Sequence, residues 1–193
     1  MNTQPALHRP PSPYNLPNAI TVVRILLVPL FIWLELRFPL TSLSGWWGVS
    51  VFVLAISTDG VDGAIARRRG LVTNLGKILD PIADKALTGS GFILLSWFGL
   101  LPWWATALIL VRELGITAYR LIVVRKRVIA ASSGGKIKTV LQAVIIPLML
   151  SPISFAWAGL HVAEAILLWT TIGVTLYTGL QYVWAELSLN RGR

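Results

Sequence analysis

Six apolar stretches, each close to the length of a membrane-crossing helix, fill most of this sequence. A helix needs about 20 mostly apolar residues to cross the hydrocarbon core of a bilayer. Of the 193 residues, 55% are hydrophobic and only 13% are charged, which is far too apolar for a soluble domain of this length. We therefore predict an all-α, polytopic membrane protein with six transmembrane helices, at residues 18–37, 46–66, 77–98, 102–124, 137–156 and 162–186.

The basic residues predict which side of the membrane each loop faces, because Lys and Arg concentrate in cytoplasmic loops. They cluster in the loops near 67–77 and 125–138 and at the C-terminus, whereas Arg37 stands alone on the other side. Tryptophans gather at the opposite helix ends, as an outer interfacial belt would. These patterns predict a protein with both termini in the cytoplasm (N-in/C-in). Three consecutive basic residues, Arg125, Lys126 and Arg127, are interpreted as following this rule or contacting anionic lipid, and for Lys138 this interpretation is one of two that stay open.

The chain is interpreted as one membrane unit. Residues 1–17 are polar and rich in proline, which predicts an irregular cytoplasmic N-terminal arm. Residues 18–187 form the six-helix domain, and residues 188–193 form a cytoplasmic tail. The absence of cysteine excludes disulfides and thiolate metal sites. The net charge of +9 is assigned to the membrane surface, so no nucleic-acid partner is expected.

Four aspartates interrupt the apolar pattern near the predicted inner ends of the second and third spans. Asp59 and Asp62 are three residues apart, and Asp80 and Asp84 are four apart, so each pair shares one helix face. Because the two helices are antiparallel neighbours, both faces can turn toward one point near the cytoplasmic boundary. Four carboxylates together need protons or cations. Their hard oxygen ligands suit Mg²⁺, Mn²⁺ or Ca²⁺, and a pair of such ions is a recurrent device of phosphoryl chemistry.

A simpler interpretation is that these aspartates form structural ion pairs with nearby basic residues. The candidates are Arg67, Arg68, Lys77 and Lys85. The crowding favours the metal site, because half of the chain's eight acidic residues lie within 26 residues on two helix faces. Small residues beside the carboxylates allow either a close ligand or close helix packing.

The same stretch resembles a family signature. Read in order, Asp59, Asp62, Gly63, Ala66, Arg67, Gly76, Asp80 and Asp84 meet all eight positions of the signature of the CDP-alcohol phosphotransferases. The flanking segments are similar to the bacterial phosphatidylglycerophosphate synthase branch. These segments are "NLPNAITVVRILLVPLF" at 15–31, "GKILDPIADK" at 76–85, "RELGITAYR" at 112–120 and "IAASSGGKIKTVLQ" at 129–142.

This resemblance implies a homodimer of six-helix subunits in the inner membrane of a bacterium, with an active site that faces the cytoplasm. It implies two divalent ions, Mg²⁺ or Mn²⁺, held by Asp59, Asp62, Asp80 and Asp84, with Asp84 also the catalytic base. The CDP part of the donor would contact Gly63, Ala66, Arg67 and Gly76. The implied reaction transfers a phosphatidyl group from CDP-diacylglycerol to glycerol 3-phosphate and releases CMP.

The phosphate of the acceptor needs cations, and the inner ends of the fourth and fifth spans supply five: Arg112, Arg120, Arg125, Lys136 and Lys138. Arg112 and Arg120 are eight residues apart and can share a helix face, so with Lys136 they are candidates for the acceptor phosphate site. Glu113 could instead pair with Arg112 inside the protein. Arg24 in the first span also needs a partner, and Asn18 and Thr21 lie on turns compatible with it. It could face the carboxylate cluster or the donor phosphates, and we expect an ion pair within the fold.

Two alternative functions remain open. The same chemistry could use inositol phosphate, phosphatidylglycerol or serine as the acceptor, since such relatives share the eight-residue signature. A divalent-cation transporter would belong to another class and would need polar groups toward the outer face. The outer halves of the spans are almost purely apolar and aromatic, which argues against transport.

Overall fold

The chain folds as a bundle of helices connected by short segments. The computed structural model describes residues 15–68, 73–123 and 133–191, with side chains described within 15–59, 75–119 and 137–181 and at Thr73 and Trp184. All regular secondary structure in these residues is helical, which confirms the predicted all-α class. The α-helices are α1 (Leu16–Arg37), α2 (Trp46–Arg68), α3 (Asn74–Trp97), α4 (Trp103–Val123), α5 (Ser133–Leu150), α6 (Pro152–Ala156) and α7 (Leu160–Arg191).

Side-chain caps define the starts of two helices. Asn15 precedes α1, and its side-chain oxygen accepts a hydrogen bond from the backbone N–H of Asn18 at 3.0 Å. Thr73 caps α3 in the same way by accepting from the backbone N–H of Gly76 at 3.0 Å. α1 begins two residues before the predicted span because Pro17 is accepted in the first helical turn, where its missing N–H costs nothing.

The fifth predicted span, 137–156, is wrong at its C-terminal end. α5 ends at Leu150, and a separate short helix, α6, begins at Pro152. Ser151 between them has extended backbone angles, φ −80° and ψ 149°. Proline has no N–H to continue the helical hydrogen bonds, and it disfavours helical angles in the residue before it. The apolar run therefore continues past the point where the helix stops.

α3 lies at the centre of the bundle. It packs against α1, α2, α4 and α5, while α7 covers α4 and α5. Phe31 of α1 and Phe52 of α2 meet beside it with ring centroids 5.2 Å apart, and both are fully buried. Leu87 and Leu95 of α3 belong to the same buried core. Because Asp80 and Asp84 lie on this central helix, residues from several other helices can reach them.

The outer surface of the bundle is strongly apolar, which indicates a membrane protein. Large side chains such as Trp47, Trp97 and Trp157 are more than half exposed. Within the described residues, two helical segments are long and apolar enough to cross a membrane, Leu16–Arg37 and Leu160–Gln181. The other predicted spans overlap α2 to α5, which carry most of the charged residues considered below. The number of spans and their orientation stay predictions.

Two buried acids correct the expectation that the outer halves are purely apolar. Glu35 lies near the C-terminal end of α1, and Glu164 lies near the N-terminal end of α7, both at ends that the sequence predicts to be outer. Their exposed fractions are 2% and 4%. Neither Glu35 oxygen has a hydrogen-bond partner among the described residues. A glutamate inside an apolar stretch stands out little in an average of hydropathy, so the sequence interpretation passed over both residues.

Candidate active site

The four predicted acidic residues lie on two helices that contact each other. Asp59 and Asp62 belong to α2, and Asp80 and Asp84 belong to the first half of α3. Both segments are α-helical, as the prediction that each pair shares a helix face requires. The side chains of Asp59, Asp80 and Asp84 are described, whereas that of Asp62 lies outside the described residues.

α1 supplies a buried polar row that contacts both acidic helices. Asn18, Thr21 and Arg24 follow each other at intervals of three residues, and all three are buried. The Asn18 side-chain amide donates to Thr73 Oγ1 at 2.9 Å. The Thr21 hydroxyl lies 2.8 Å from Asp80 Oδ1 and can donate to it. This row fixes the position of α1 against the start of α3.

Arg24 links α1 to the first aspartate. Its Nη1 donates to Asp59 Oδ1 at 2.6 Å, and its Nε donates to the backbone carbonyl of Ala55 at 3.1 Å. The guanidinium is fully buried, while the Asp59 side chain is 44% exposed. The expectation that Arg24 forms an ion pair within the fold is confirmed. Asp59 is thereby held through Oδ1, although its side chain is partly exposed.

Gly76 lies against α1 as well. A methyl group at this position would lie 2.7 Å from Asn18 Oδ1, so only glycine lets the Asn18 side chain reach the cap of α3. This contact gives Gly76 a packing function inside the protein. The predicted contact between Gly76 and the nucleotide stays a prediction.

The ligand chemistry around these carboxylates fits a hard divalent cation. The atoms that could bind a metal ion are carboxylate oxygens. Hydrogen bonds from Thr21 and Arg24 orient two of these carboxylates, as outer-shell partners of metal ligands do. Among the described side chains, no three acidic or histidine groups meet closely enough to hold a metal ion. Since Asp62 lies outside that set, the four-carboxylate cluster stays a prediction.

A second cluster of charges lies beside the first and is centred on Glu113 of α4. Lys138 of α5 donates to both Glu113 oxygens, at 2.6 and 2.7 Å. Arg112 Nη1 lies 2.9 Å from Glu113 Oε1, and Lys85 Nζ lies 3.1 Å from Glu113 Oε2. The predicted pairing of Arg112 with Glu113 is confirmed. Three cations thus surround one carboxylate, which leaves an excess of positive charge.

Lys85 joins the two clusters. Its Nζ lies 2.5 Å from Asp84 Oδ2 while it also contacts Glu113. The Asp84–Lys85 contact is one of the ion pairs that the simpler interpretation of the aspartates predicts. The same contact connects the predicted base to the cationic cluster, so it is compatible with both interpretations.

Of the interpretations of Lys138, contact with anionic lipid is wrong. Lys138 is 6% exposed, and its ammonium group is bonded to Glu113. The reason is that a buried carboxylate on another helix, 25 residues away in sequence, provides its counter-charge. Arg125, Lys126 and Arg127 lie outside the described residues.

Several predicted site residues have only their backbone described. Gly63, Ala66 and Arg67 lie on α2, Arg120 lies on α4, and Lys136 lies in the first turn of α5. Arg120 and Arg112 therefore share a helix, as predicted, but the contacts of Arg120 and Lys136 fall outside the described side chains. Their roles stay predictions.

Sequence reasoning did not single out Thr178. Arg112 Nη2 donates to Thr178 Oγ1 of α7 at 2.7 Å, a contact across 66 residues of sequence. The sequence predicts Asn18 and Thr21 on turns compatible with Arg24, and in the structure all three are buried on α1. The contact with Thr178 carries no comparable local pattern.

Comparison with known proteins agrees with the chemistry of this site. A family model described as CDP-alcohol phosphatidyltransferase matches residues 14–177. A protein named probable phosphatidylglycerophosphate synthase, from Mycobacterium tuberculosis strain H37Rv, is 45% identical over 174 residues, which cover 88% of this chain and 80% of the relative.

Two further relatives bear on the acceptor. A CDP-diacylglycerol–glycerol-3-phosphate 3-phosphatidyltransferase from Bacillus subtilis strain 168 is 37% identical over 184 residues, covering 88% of this chain and 93% of the relative. A cardiolipin synthase (CMP-forming) from Streptomyces coelicolor is 40% identical over 103 residues, covering 51% of this chain and 46% of the relative. The family match spans most of the chain and includes both acidic helices and the cationic cluster. The chain therefore belongs to the CDP-alcohol phosphatidyltransferase family.

Proposed function

We propose that this protein transfers a phosphatidyl group from CDP-diacylglycerol to the primary hydroxyl of glycerol 3-phosphate, giving phosphatidylglycerophosphate and CMP. Family membership supports the phosphatidyltransferase class. The names of the Mycobacterium and Bacillus relatives support glycerol 3-phosphate as the acceptor. The observation that carries the proposal is the position of Lys85, which contacts Asp84 on one side and the cationic cluster of Glu113, Arg112 and Lys138 on the other.

The proposed arrangement in the membrane is that α1 to α5 and α7 provide six spans, with both termini and the active site on the cytoplasmic side of a bacterial plasma membrane. The lengths and apolar surfaces of α1 and α7 support this arrangement. The acyl chains of the donor can then stay in lipid while its head group enters from the interface. The proposed assembly is a homodimer.

The proposed donor site uses Asp59, Asp62, Asp80 and Asp84 to hold two divalent ions, Mg²⁺ or Mn²⁺. When bound, such ions neutralise the pyrophosphate oxygens and the charge that develops on the leaving CMP. Arg24 and Thr21 support this function by fixing the carboxylates of Asp59 and Asp80. The nucleotide is proposed to contact Gly63, Ala66, Arg67 and Gly76.

The proposed acceptor site uses Arg112 and Arg120 of α4 and Lys136 of α5. The excess positive charge around Glu113 supports an anion at this place, because more cations are gathered than the buried carboxylates neutralise. Glycerol 3-phosphate carries its phosphate at one end and its reactive primary hydroxyl at the other. An acceptor phosphate held near Arg112 therefore leaves the hydroxyl free to point toward Asp84.

In the proposed reaction, Asp84 accepts the proton of that hydroxyl. The hydroxyl oxygen forms a bond to the phosphorus that carries diacylglycerol, and the bond from this phosphorus to the bridging oxygen of CMP breaks. CMP leaves with the bonding electron pair. Lys85 fixes the Asp84 carboxylate from the side facing the acceptor site.

The test is CMP release by the purified protein in detergent, with CDP-diacylglycerol, Mg²⁺ or Mn²⁺, and one acceptor at a time. Release with glycerol 3-phosphate alone is the expected result. Release with phosphatidylglycerol, inositol phosphate or serine instead would keep the chemistry and replace the acceptor. No release with any acceptor would contradict the transferase, and a transporter would behave in this way.

The matched variant is Asp84→Asn, which keeps the size of the side chain and removes its ability to accept a proton. Its turnover should fall roughly a hundredfold or more, the usual contribution of a general base. Binding of CDP-diacylglycerol should persist. Loss of CDP-diacylglycerol binding in Asp84→Asn would show that Asp84 is needed to bind the donor, and it would contradict the assignment of Asp84 as the base.

A further inference from the structure

The last helix, α7, contacts the proposed acceptor site at Arg112. Arg112 lies on α4, and two of its guanidinium nitrogens already have partners. Nη1 contacts Glu113 Oε1 at 2.9 Å, and Nη2 donates to Thr178 Oγ1 at 2.7 Å. The Arg112 side chain is only 15% exposed. One partner is thus its neighbour in sequence, and the other belongs to α7.

The hydroxyl of Thr178 is oriented to accept this bond. Its own proton has backbone acceptors on α7, the carbonyl of Val174 at 2.8 Å and that of Thr175 at 3.0 Å. An oxygen that donates back to its own helix presents its lone pairs outward. Arg112 has no way to reverse this geometry because a guanidinium only donates hydrogen bonds.

Gly179, the next residue of α7, provides the surface on which the Arg112 side chain lies. A methyl group at Gly179 would lie 3.0 Å from both Cγ and Nε of Arg112. Such distances are closer than ordinary van der Waals contact, so Arg112 would have to move. The position of the Arg112 side chain is therefore sensitive to the residue at 179, since a methyl group there would require it to shift by a few tenths of an ångström.

Three of the five N–H groups of Arg112 are not used by the contacts with Glu113 and Thr178. Nε is buried and has no hydrogen-bond partner among the described residues. A guanidinium carries five N–H groups in one plane, and the contacts with Glu113 and Thr178 occupy one hydrogen on each of two nitrogens. Because both contacts fix the plane, they also fix the direction of the free donors. Planar, forked donors are suited to the oxygens of a phosphate group.

We propose that Thr178 and Gly179 are positioning residues that set the Arg112 guanidinium for the phosphomonoester of the acceptor. This inference rests on the proposed function. It gives α7 a part in acceptor selection. This part does not depend on direct contact of Thr178 or Gly179 with the donor or the proposed metal site. The two residues act through Arg112, so their loss should affect the acceptor specifically.

The test compares the KM for glycerol 3-phosphate, the KM for CDP-diacylglycerol and kcat in four variants. Thr178→Val removes the accepting oxygen at constant shape, and it should raise the acceptor KM roughly tenfold, the effect of one lost hydrogen bond to a charged group. Gly179→Ala should raise it at least as much. Thr178→Ser keeps the oxygen and should behave like the unmodified protein.

The matched control is Gly173→Ala on the same helix, where a methyl group would meet no described atom within 4 Å. It should leave all three kinetic constants unchanged. In the two test variants, kcat and the donor KM should stay within about twofold, because only binding of the acceptor is altered. Equal changes in kcat and both KM values, or a lower melting temperature with an unchanged acceptor KM, would overturn the inference and reduce the contact to packing.

Direct binding separates this inference from the proposed function. Isothermal titration of glycerol 3-phosphate into the purified protein with EDTA present requires no turnover. Weaker binding in Thr178→Val and Gly179→Ala, with unchanged binding in Gly173→Ala, is the expected result. If Arg112→Lys weakens binding but the two α7 variants do not, the acceptor site stands and the positioning function fails. If Arg112→Lys has no effect either, both the Arg112 assignment and the inference fail, while CMP release still decides the reaction.

Discussion

Arg24 and Asp59 form an ion pair of unequal burial, with Nη1 of the arginine 2.6 Å from Oδ1 of the aspartate. Arg24 is 1% exposed, whereas the Asp59 side chain is 44% exposed. The guanidinium is also tied to the carbonyl of Ala55. The rigid partner is therefore the buried arginine, and the aspartate is fixed by it at the edge of the proposed donor site.

Replacing Arg24 with Met should lower activity more than stability. The Asp59 carboxylate would lose its fixed donor but would remain partly hydrated, so the loss of the ion pair itself should cost about 1 kcal/mol or less. Turnover should fall more, roughly tenfold to a hundredfold, as for the loss of an outer-shell partner of a proposed metal ligand. The measurements are kcat, the Mg²⁺ concentration for half-maximal activity, and the melting temperature in detergent.

Arg24→Lys is the matched variant, because it keeps the charge but loses the planar fork that reaches both Asp59 and Ala55. It should need more Mg²⁺ than the unmodified protein but less than Arg24→Met. A large fall in the melting temperature of Arg24→Met, with normal Mg²⁺ dependence in the protein that remains folded, would contradict a function in the site.

Glu113 should contribute strongly to the stability of the fold, because three cations share it as a counter-charge. Glu113→Gln keeps the shape and leaves Lys85, Arg112 and Lys138 facing one another. Breaking a buried pair by removing one partner costs about 3–5 kcal/mol. We expect a clearly lower melting temperature and poor recovery of the protein from membranes.

The double variant Glu113→Gln, Lys138→Met tests whether charge is the cause. It removes one of the uncompensated cations, so it should be more stable than Glu113→Gln alone. The comparison uses the changes in melting temperature of Glu113→Gln, Lys138→Met and the double variant. If the change in the double variant equals the sum of the two single changes, Glu113 and Lys138 do not interact, contrary to the distances of 2.6 and 2.7 Å between them.

The sequence could predict elements that depend on local pattern. The positions of α1 to α4 and α7 follow from apolar runs, and Glu113 is identified as a possible partner of Arg112 because both are charges inside an apolar span. The need of Arg24 for a partner also follows from its place in an apolar span. The identity of that partner does not, because Asp59 lies 35 residues away and the choice depends on how α1 crosses α2.

Lys138 is a second residue whose partner the sequence alone could not identify. A lysine near the start of an apolar helix and next to a basic loop fits the positive-inside pattern, so composition favours an exposed residue. Its burial depends on Glu113 of α4, and only the tertiary structure brings α4 and α5 residues together with Lys85 of α3. Local pattern therefore predicts helices well and buried polar contacts poorly.

Gly91 allows the close approach of α3 and α5. A methyl group at Gly91 would lie 2.6 Å from Cγ2 and 3.2 Å from Cδ1 of Ile146, which is fully buried. Gly91→Ala should therefore destabilise the protein by about 1–3 kcal/mol, the usual cost of overpacking a core. The control Gly115→Ala, where no described atom lies within 4 Å, should have no such effect.

Ile146→Leu should partly rescue Gly91→Ala, because leucine has no branch at Cβ and so lacks the atom in closest contact. The measurement is the melting temperature of the two single variants and the double variant in the same detergent. If Ile146→Leu lowers the melting temperature equally in both backgrounds, the predicted contact between the two positions does not limit the packing of α3 on α5.

Glu35 should be a site where a change stabilises the protein. It is 2% exposed, and neither of its oxygens has a partner among the described residues. Its burial therefore has a desolvation cost of about 1–3 kcal/mol that no hydrogen bond among the described residues offsets. Glu35→Met removes both polar oxygens at similar length and should raise the melting temperature. Activity should not change, because Glu35 lies eleven residues beyond Arg24 on α1, about 16 Å along the helix axis.

Glu164→Met is the comparison variant. One Glu164 oxygen contacts His161 at 3.4 Å, so its removal should raise the melting temperature less. A lower melting temperature for Glu35→Met would mean that this carboxyl group has a partner in the membrane-embedded protein, and Gly48→Ala, whose methyl group would overlap the carboxyl group, would then be expected to break the same contact.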